Sequence, residues 1–404
     1  MQLAEHLSVY GQLPYRGGSQ MLISTIEAAG LTGRGGAAFP THRKLSAVLS
    51  QPGDPVVVGN GSESEPASGK DKWLLWSSPH LVLDGLQLAA ETVGARKVHL
   101  LVHRNPELIR RLQTALQDRL AAGIDRVDVN LVAAPARFLA GEESAVVSRI
   151  EGGASLPRFT PPRVFERGVN GAPTLVQNVE TLAQLALVGR FGAPWFRGVG
   201  TEQEPGSMLT TLWRADVPGR VEEIAIGTPI GDLLRLSQDP VGAVLVGGYH
   251  GAWMTVKQAK DLTLSNVDLR PLGASVGAGV LAALPADRCG LVESARVVHY
   301  LALESAGQCG PCLNGLPRIS ATFSQLADRR PTPSVRADLH RWSRLVERRG
   351  ACHHPDGTVR FLRSALTVFA DEARWHDVGQ CSAESDEPFL PIPAESPAYE
   401  NDWS

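Results

Sequence analysis

The sequence predicts an α/β domain on a largely parallel sheet, then a small β-rich module, then a helical C-terminal part. Three observations carry this. Strand-like apolar runs alternate with helical periodicity between residues 55 and 133, the succession that builds a parallel sheet with crossover helices. Past about residue 200, short strand patterns lie between Pro/Gly turns. From residue 292 onward helical patterns dominate.

Taken in order, residues 19–33 read as a helix entering a glycine-rich turn, and 55–59 (PVVVG) as a short apolar strand. Residues 81–93 have helical periodicity, 97–103 (KVHLLVH) form a strand, and 107–122 an amphipathic helix. Residues 126–133 (RVDVNLVA) alternate as a strand does. The β-rich part offers strands at 208–215, 219–224 and 243–247, with a short helix at 230–237. Helices follow at 292–305, 316–327, 335–347 and 359–373. The last twenty or so residues are polar, Pro-rich and acidic, and are expected as an extended tail.

Composition bounds the function. With 404 residues, 43% hydrophobic and 20% charged, the chain has material for two or three domains. A net charge of -3 gives no basic footprint for nucleic acid. The N-terminus lacks a signal pattern and no run of eighteen apolar residues occurs, so a cytoplasmic location without membrane insertion is expected. Five cysteines, in that compartment, favour free thiols or metal ligands over disulfides.

The chemistry concentrates in four segments. Gly33, Arg34, Gly35 and Gly36 lead into Phe39 and Lys44. Backbone N–H groups at such glycine density can cradle a phosphate, with Arg34 and Lys44 adding charge. A flexible surface turn is the alternative. Asn60, Glu63 and Glu65 follow directly on the 55–59 strand, at the strand end where open α/β sheets bind ligands. Gly141, Glu142 and Glu143 open a helix, where acidic residues would also suit the N-terminus with no ligand at all. Finally Cys309 and Cys312 form C-x-x-C, Cys352 follows later, and Ala306 stands three before Cys309. Three thiols so spaced suit an iron–sulfur cradle with one ligand missing. A 4Fe–4S cluster completed by water or by His353 or His354, a 3Fe–4S cluster, a Cys3His zinc site and buried thiols without metal all remain open. Cys289 and Cys381 read as ordinary small residues.

The segments GRGGAAFPTHRK (33–44), NGSESEPASGKD (60–71), GEESAV (141–146), APTLVQNVETL (172–182) and ESAGQCGPC (304–312) occur in an order that is informative as a set. On them, from about residue 31 to 366, the chain resembles the NADH-binding flavoprotein subunit of respiratory complex I, shared with NAD-reducing hydrogenases and formate dehydrogenases, as a divergent member. The resemblance implies a Rossmann-like FMN-binding domain at 1–204, a ubiquitin-like β-grasp (SLBB) module at 205–272, a helical iron–sulfur domain at 273–380 and a tail at 381–404. It implies flavin contacts by Gly33, Arg34, Gly35, Gly36, Lys44, Asn60, Glu63, Glu65, Gly141, Glu142, Glu143, Asn178 and Thr181. Phe39 would stack on the adenine of NAD(H), Glu65 and Glu143 lie nearest the reacting flavin and the ribose, and Cys309, Cys312 and Cys352 hold the cluster.

The departures are specific. Ser62 replaces the family's aspartate and Gln177 an asparagine, while Ala47 and Arg163 stand where the family has aromatic rings and Thr160 where it has lysine. Each lost stacking ring removes on the order of 1 kcal/mol, unless Arg163 stacks as a cation. The function expected from the resemblance is hydride transfer from a reduced nicotinamide to FMN, then single electrons through the cluster to a ferredoxin-like or other iron–sulfur protein in a larger complex. A non-catalytic paralogue that docks partners is the alternative. A glycan- or cobalamin-binding β-grasp module would explain none of the glycine-rich segments.

Overall fold

The computed structural model describes residues 1–14, 19–385, 387–393 and 403. Four strands, β1 (Val56–Gly61), β2 (Lys97–His103), β3 (Val129–Ala134) and β4 (Thr174–Asn178), form an all-parallel sheet in the order β3-β2-β1-β4. A parallel sheet must be covered on both faces, and β1 is accordingly near-continuous apolar residues. Helices Pro79–Val93, Val179–Arg197 and Ser19–Ala29 pack on one face around Leu86, Leu182 and Ile26, while Val146 and Val147 of the Glu143–Ile150 helix pack on the other.

Local signals set several boundaries. Pro106 opens the Pro106–Ala122 helix, the Asn105 side chain accepts from Glu107 N and Leu108 N, and Gly123 closes it with φ of 61°. Helices Pro79–Val93 and Val179–Arg197 approach so closely that a Cβ on Gly85 would lie 2.1 Å from the Leu182 carbonyl oxygen.

A second sheet contains β5 (Ser207–Arg214), β6 (Val217–Ala225), β7 (Val241–Val246), β8 (Ala252–Thr255) and β9 (Val280–Pro285), ordered β6-β5-β9-β7-β8. β9 is its middle strand, parallel to β5 and antiparallel to β7. The expected module boundary at 272 therefore cuts through this sheet; the apolar run 280–284, directly before the helical region, lacked alternation to mark it as a strand. One face of this sheet packs on short helices through Ile230, Leu234 and Leu269, and the other on the C-terminal helices through Val298, Phe323 and Phe361. Those helices are Gly290–Leu303, Leu316–Ala327, Val335–Val346, His354–Val368 and Ala370–Asp377. The single helix expected at 359–373 is two, parted at Phe369 (φ -100°, ψ 29°).

The last segment lacks helix and strand from 381 to 384 but is tied down. Glu384 N and Ser385 N donate to the Asp287 carbonyl, and Phe389 N and Leu390 N to the Glu293 carboxylate. Residues 15–18 and 394–402, which the expected N-terminal domain and tail include, lie outside the described residues.

Candidate functional site

The carboxyl ends of β1 and β4 lie side by side, with Asn60 in register with Asn178. Everything that follows these strands converges there, which is where a parallel sheet opens a crevice for ligands. The glycine-rich loop closes on itself through Gly33 N to the Phe39 carbonyl (2.9 Å) and anchors through Arg34 N to Thr181 Oγ1 (2.8 Å). A Cβ on Gly35 would stand 3.2 Å from the Asn178 Cβ, and Gly36 has φ of 105°, so glycine is needed for both approach and conformation. The Arg34 side chain turns inward, donating to Thr32 Oγ1 and the Ser207 carbonyl. Burial pushes its guanidinium pKa down, and Glu180 and Glu204 oppose that.

Asn60 Nδ2 donates to the Gly141 carbonyl at 2.8 Å, joining the second motif to the third. Gly141 sits so tightly that a Cβ would lie 2.9 Å from both the Ser62 carbonyl oxygen and Ser64 Oγ. Asn178 caps the Val179–Arg197 helix through Glu180 N and donates Nδ2 to Asp71 Oδ2. Lys44 Nζ bridges the Val176 carbonyl (2.7 Å) and Glu143 Oε1 (2.8 Å). The structure thus brings Gly33, Arg34, Gly35, Gly36, Lys44, Asn60, Gly141, Glu143, Asn178 and Thr181 to one place.

Three acidic residues are engaged differently. Glu63 is buried and accepts from Ser68 Oγ, Asp71 N and Lys72 N, capping the Lys70–Ser77 helix. Burial, then Asp71, raises its pKa. Glu65 accepts from Ala67 N and Tyr249 N, holding the β7–β8 loop against the first domain, and burial pushes its carboxyl up to about 7. Glu142 caps its own helix through Ser144 N and Ala145 N. Both carboxylate oxygens of Glu63 and of Glu65, and one of Glu142, thus accept from protein N–H or O–H groups.

The sequence reading missed Lys70 and Glu180 as site-forming residues. Lys70 Nζ lies buried between Asp71 Oδ1 (2.7 Å) and Glu180 Oε2 (2.9 Å), and Glu180 Oε1 accepts from Leu209 N (2.7 Å), tying β5 under the crevice. Their signal was present, since Lys-Asp and Val-Glu-Thr close the second and fourth motifs. Phe159 is 75% exposed, as Phe39 is at 51%, and its neighbour Arg158 donates N to Ser144 Oγ beside Glu143. Arg163 is exposed, its N donating to Glu166, and Ala47 is half-buried.

Whether FMN fits can be tested on buried polar atoms without a partner. Arg34 Nε, Ser62 Oγ and Gln177 Nε2 are such atoms, all flanking the glycine cradle at the ends of β1 and β4. Buried polar groups are nearly always satisfied, so unpartnered buried polar atoms beside the glycine cradle fit a polar ligand.

The cysteines form the second centre. Cys312 is carried on a π-helical turn, Pro311–Gly315, and is buried. Its thiol is pushed up to about 12 by burial, then by the adjoining Cys309 and by Cys352; burial, and then Glu142 and Cys309, raise Cys352. The three thiols therefore gather next to the 141–143 loop. Among the described residues the one group of metal-ligating side chains whose ligand atoms all close to within 4.8 Å of one another lies elsewhere. His354 does not complete it: Nε2 lies 2.8 Å from the Leu301 carbonyl and Nδ1 3.1 Å from His250 Nε2. His353 stands in solvent beside Asp356. Ala306 packs against the helical core.

The two centres are bolted together. Glu304, at the start of the cysteine loop, accepts from Arg137 Nε (3.0 Å) and Phe138 N (2.8 Å), just ahead of Gly141.

Two family models match the chain: the Nuo51 FMN-binding domain over residues 26–187, and the NADH-ubiquinone oxidoreductase-F iron–sulfur binding region over 293–376. An NADH-quinone oxidoreductase subunit of Streptomyces coelicolor is 28% identical over 381 residues, covering 89% of this chain and 83% of the relative. The corresponding NADH-quinone oxidoreductase subunit of Mycobacterium tuberculosis is 29% identical over 386 residues, covering 89% and 85%. The crystal structure of an NAD+-reducing [NiFe]-hydrogenase in the air-oxidised state matches with a TM-score of 0.81 and 26% identity over 94% of this chain. This chain spans 65% of that hydrogenase chain's length.

Proposed function

We propose that this chain, which belongs to the flavoprotein-subunit family of complex I and NAD-reducing hydrogenases as a divergent member, is a flavin-dependent electron-transfer subunit. It oxidises NADH on FMN and passes electrons singly through an iron–sulfur cluster to an iron–sulfur partner in a larger complex. The carrying observation is the glycine cradle at the ends of β1 and β4, with the buried, unpartnered Arg34 Nε, Ser62 Oγ and Gln177 Nε2 beside it and three gathered thiols next to it. Flavin supplies the step between two-electron and one-electron chemistry.

The chain's own residues bind, orient and exclude water. The N–H groups of Gly35 and Gly36 and the Lys44 ammonium would hold the anionic end of the cofactor, Gly33 N and Arg34 N being spent on closing and anchoring the loop, with Asn60 and Asn178 fixing the strand ends beneath it. The Asn60–Gly141 bond holds the third loop over the crevice. Glu143, paired with Lys44, is the acidic side chain left at the mouth. Phe39 and Phe159 present exposed rings for the adenine, Phe159 standing in for the rings replaced by Ala47 and Arg163. Cys309, Cys312 and Cys352 would hold a 4Fe–4S or 3Fe–4S cluster, and the Arg137–Glu304 pair ties the cysteine loop to the segment ahead of Gly141. The second sheet is read as the β-grasp module. Among the described residues no helix is long and apolar enough to cross a membrane.

The test is anaerobic purification with flavin, iron and sulfide counted per chain, followed by addition of NADH. Bound or reconstitutable FMN that bleaches with NADH supports the reading. A folded preparation that neither binds FMN nor holds iron overturns it in favour of a docking paralogue, the reading that Ala306, Ala47 and Arg163 favour.

A further inference from the structure

Cys289, Glu372, His376 and Cys381 bring one ligand atom each to within 4.8 Å of one another. None of them belongs to the flavin crevice or the cysteine trio. Cys289 precedes the Gly290–Leu303 helix, Glu372 and His376 lie one turn apart on the Ala370–Asp377 helix, and Cys381 begins the last segment. We propose that these four side chains form a closed, structural zinc site that staples the C-terminal segment to the iron–sulfur domain.

The distances suit one ion. Zinc with Zn–S of about 2.3 Å and Zn–N or Zn–O of about 2.0–2.1 Å in a tetrahedron puts S and N roughly 3.5 Å apart, and N and O roughly 3.3 Å. Cys289 Sγ lies 3.5 Å from His376 Nε2, and Glu372 Oε1 lies 3.2 Å from the same nitrogen. Two thiols, an imidazole and a carboxylate are a zinc donor set.

The surroundings orient the ligands. His376 is fully buried, and its Nδ1 lies 2.9 Å from the Leu326 carbonyl, which can only accept. The proton is thereby placed on Nδ1 and the Nε2 lone pair is turned towards the sulfurs, as metal-bound histidines are held. In that tautomer Nε2 and Glu372 Oε1 are two acceptors face to face. A cation between them resolves the clash. The carboxylate is itself oriented by Ser382, whose N donates to Oε1 (2.9 Å) and whose hydroxyl donates to Oε2.

The site is separate from the cluster. The Gly290–Leu303 helix, 14 residues, carries the chain away from Cys289 before the cysteine loop begins, about 21 Å at 1.5 Å per residue. What it fastens is the stretch after Cys381, whose backbone already pairs with Asp287 and whose Ser385 hydroxyl accepts from Arg288 (2.6 Å).

The full chain, expressed with zinc supplied and passed through chelator and gel filtration, should keep about one zinc per chain. X-ray absorption at the zinc edge should show two sulfur and two N/O scatterers. Cys381→Ser and Glu372→Ala should each lower zinc at least severalfold while iron and flavin stay unchanged. Cys309→Ser should lose iron and keep zinc, which separates this site from the proposed electron-transfer centre. Wild type that takes up no zinc, a zinc edge without sulfur, or folded Cys381→Ser and Glu372→Ala proteins with wild-type zinc would each overturn the proposal.

Discussion

Gly141→Ala tests whether the third loop is held against the first strand by contact. The new Cβ would meet the Ser62 carbonyl and Ser64 Oγ at 2.9 Å each. The hydroxyl can rotate away, but the carbonyl belongs to backbone leaving β1 and cannot. Ordinary contact begins near 3.4 Å, so the loop must retreat by about half an ångström, consistent with overpacking that costs roughly 1–3 kcal/mol. That retreat lengthens the Asn60–Gly141 hydrogen bond of 2.8 Å, whose loss adds about 0.5–1.5 kcal/mol. Together they lower unfolding free energy by about 2–4 kcal/mol. Because the same loop covers the crevice, FMN affinity should fall at least tenfold, tenfold being about 1.4 kcal/mol. Urea unfolding and quenching of flavin fluorescence measure the two effects. Gly310→Ala is the control, with nothing within 4 Å of its Cβ and a helical φ of -54°. Wild-type unfolding midpoint and FMN affinity in Gly141→Ala would refute the argument.

Three further outcomes follow from the geometry. Lys70→Met leaves Asp71 and Glu180 as buried carboxylates without their cation, so stability should drop by about 3–5 kcal/mol; a loss under 1 kcal/mol in urea unfolding would show the triad to be unimportant. Glu65 has a folded pKa of about 7 against an ordinary 4.5, so its proton favours the folded state fully below about pH 4.5, and that contribution, about 3 kcal/mol, is lost as pH rises through 7. Glu65→Gln should therefore show a shallower fall in stability between pH 4.5 and 7.5 than wild type, and parallel curves would contradict the burial argument. Ala306→Cys offers the fourth thiolate, so iron per chain should survive air exposure better than in wild type; equal loss would mean that position 306 does not face the cluster.

What the sequence determined by itself was local. The strand at 97–103 and the helix beginning near 107 were legible because alternation and 3.6-residue spacing are properties of neighbours in the chain, and Pro106, Asn105 and Gly123 mark the helix ends. The glycine loops and the C-x-x-C pair were legible for the same reason: each acts over a few residues. Residues 179–189 of the helix Val179–Arg197, which is broken at Gly192 (φ 80°), and the strand β9 went unread because burial on every side removes the polar–apolar period that would mark them.

Tertiary structure decided which of the polar residues are paired within the protein. Glu63 and Glu65 read as ligand contacts, yet N–H groups of the Lys70–Ser77 helix and of Tyr249 take their carboxylates. Cys289 and Cys381 read as ordinary small residues, and the fold sets them around one histidine. Lys70 meets Glu180, Arg137 meets Glu304 and Asn60 meets Asn178 across more than a hundred residues. No local pattern encodes such pairs, because burying a charge or an amide is favourable only once the partner arrives, and the packing of sheets and helices brings it there.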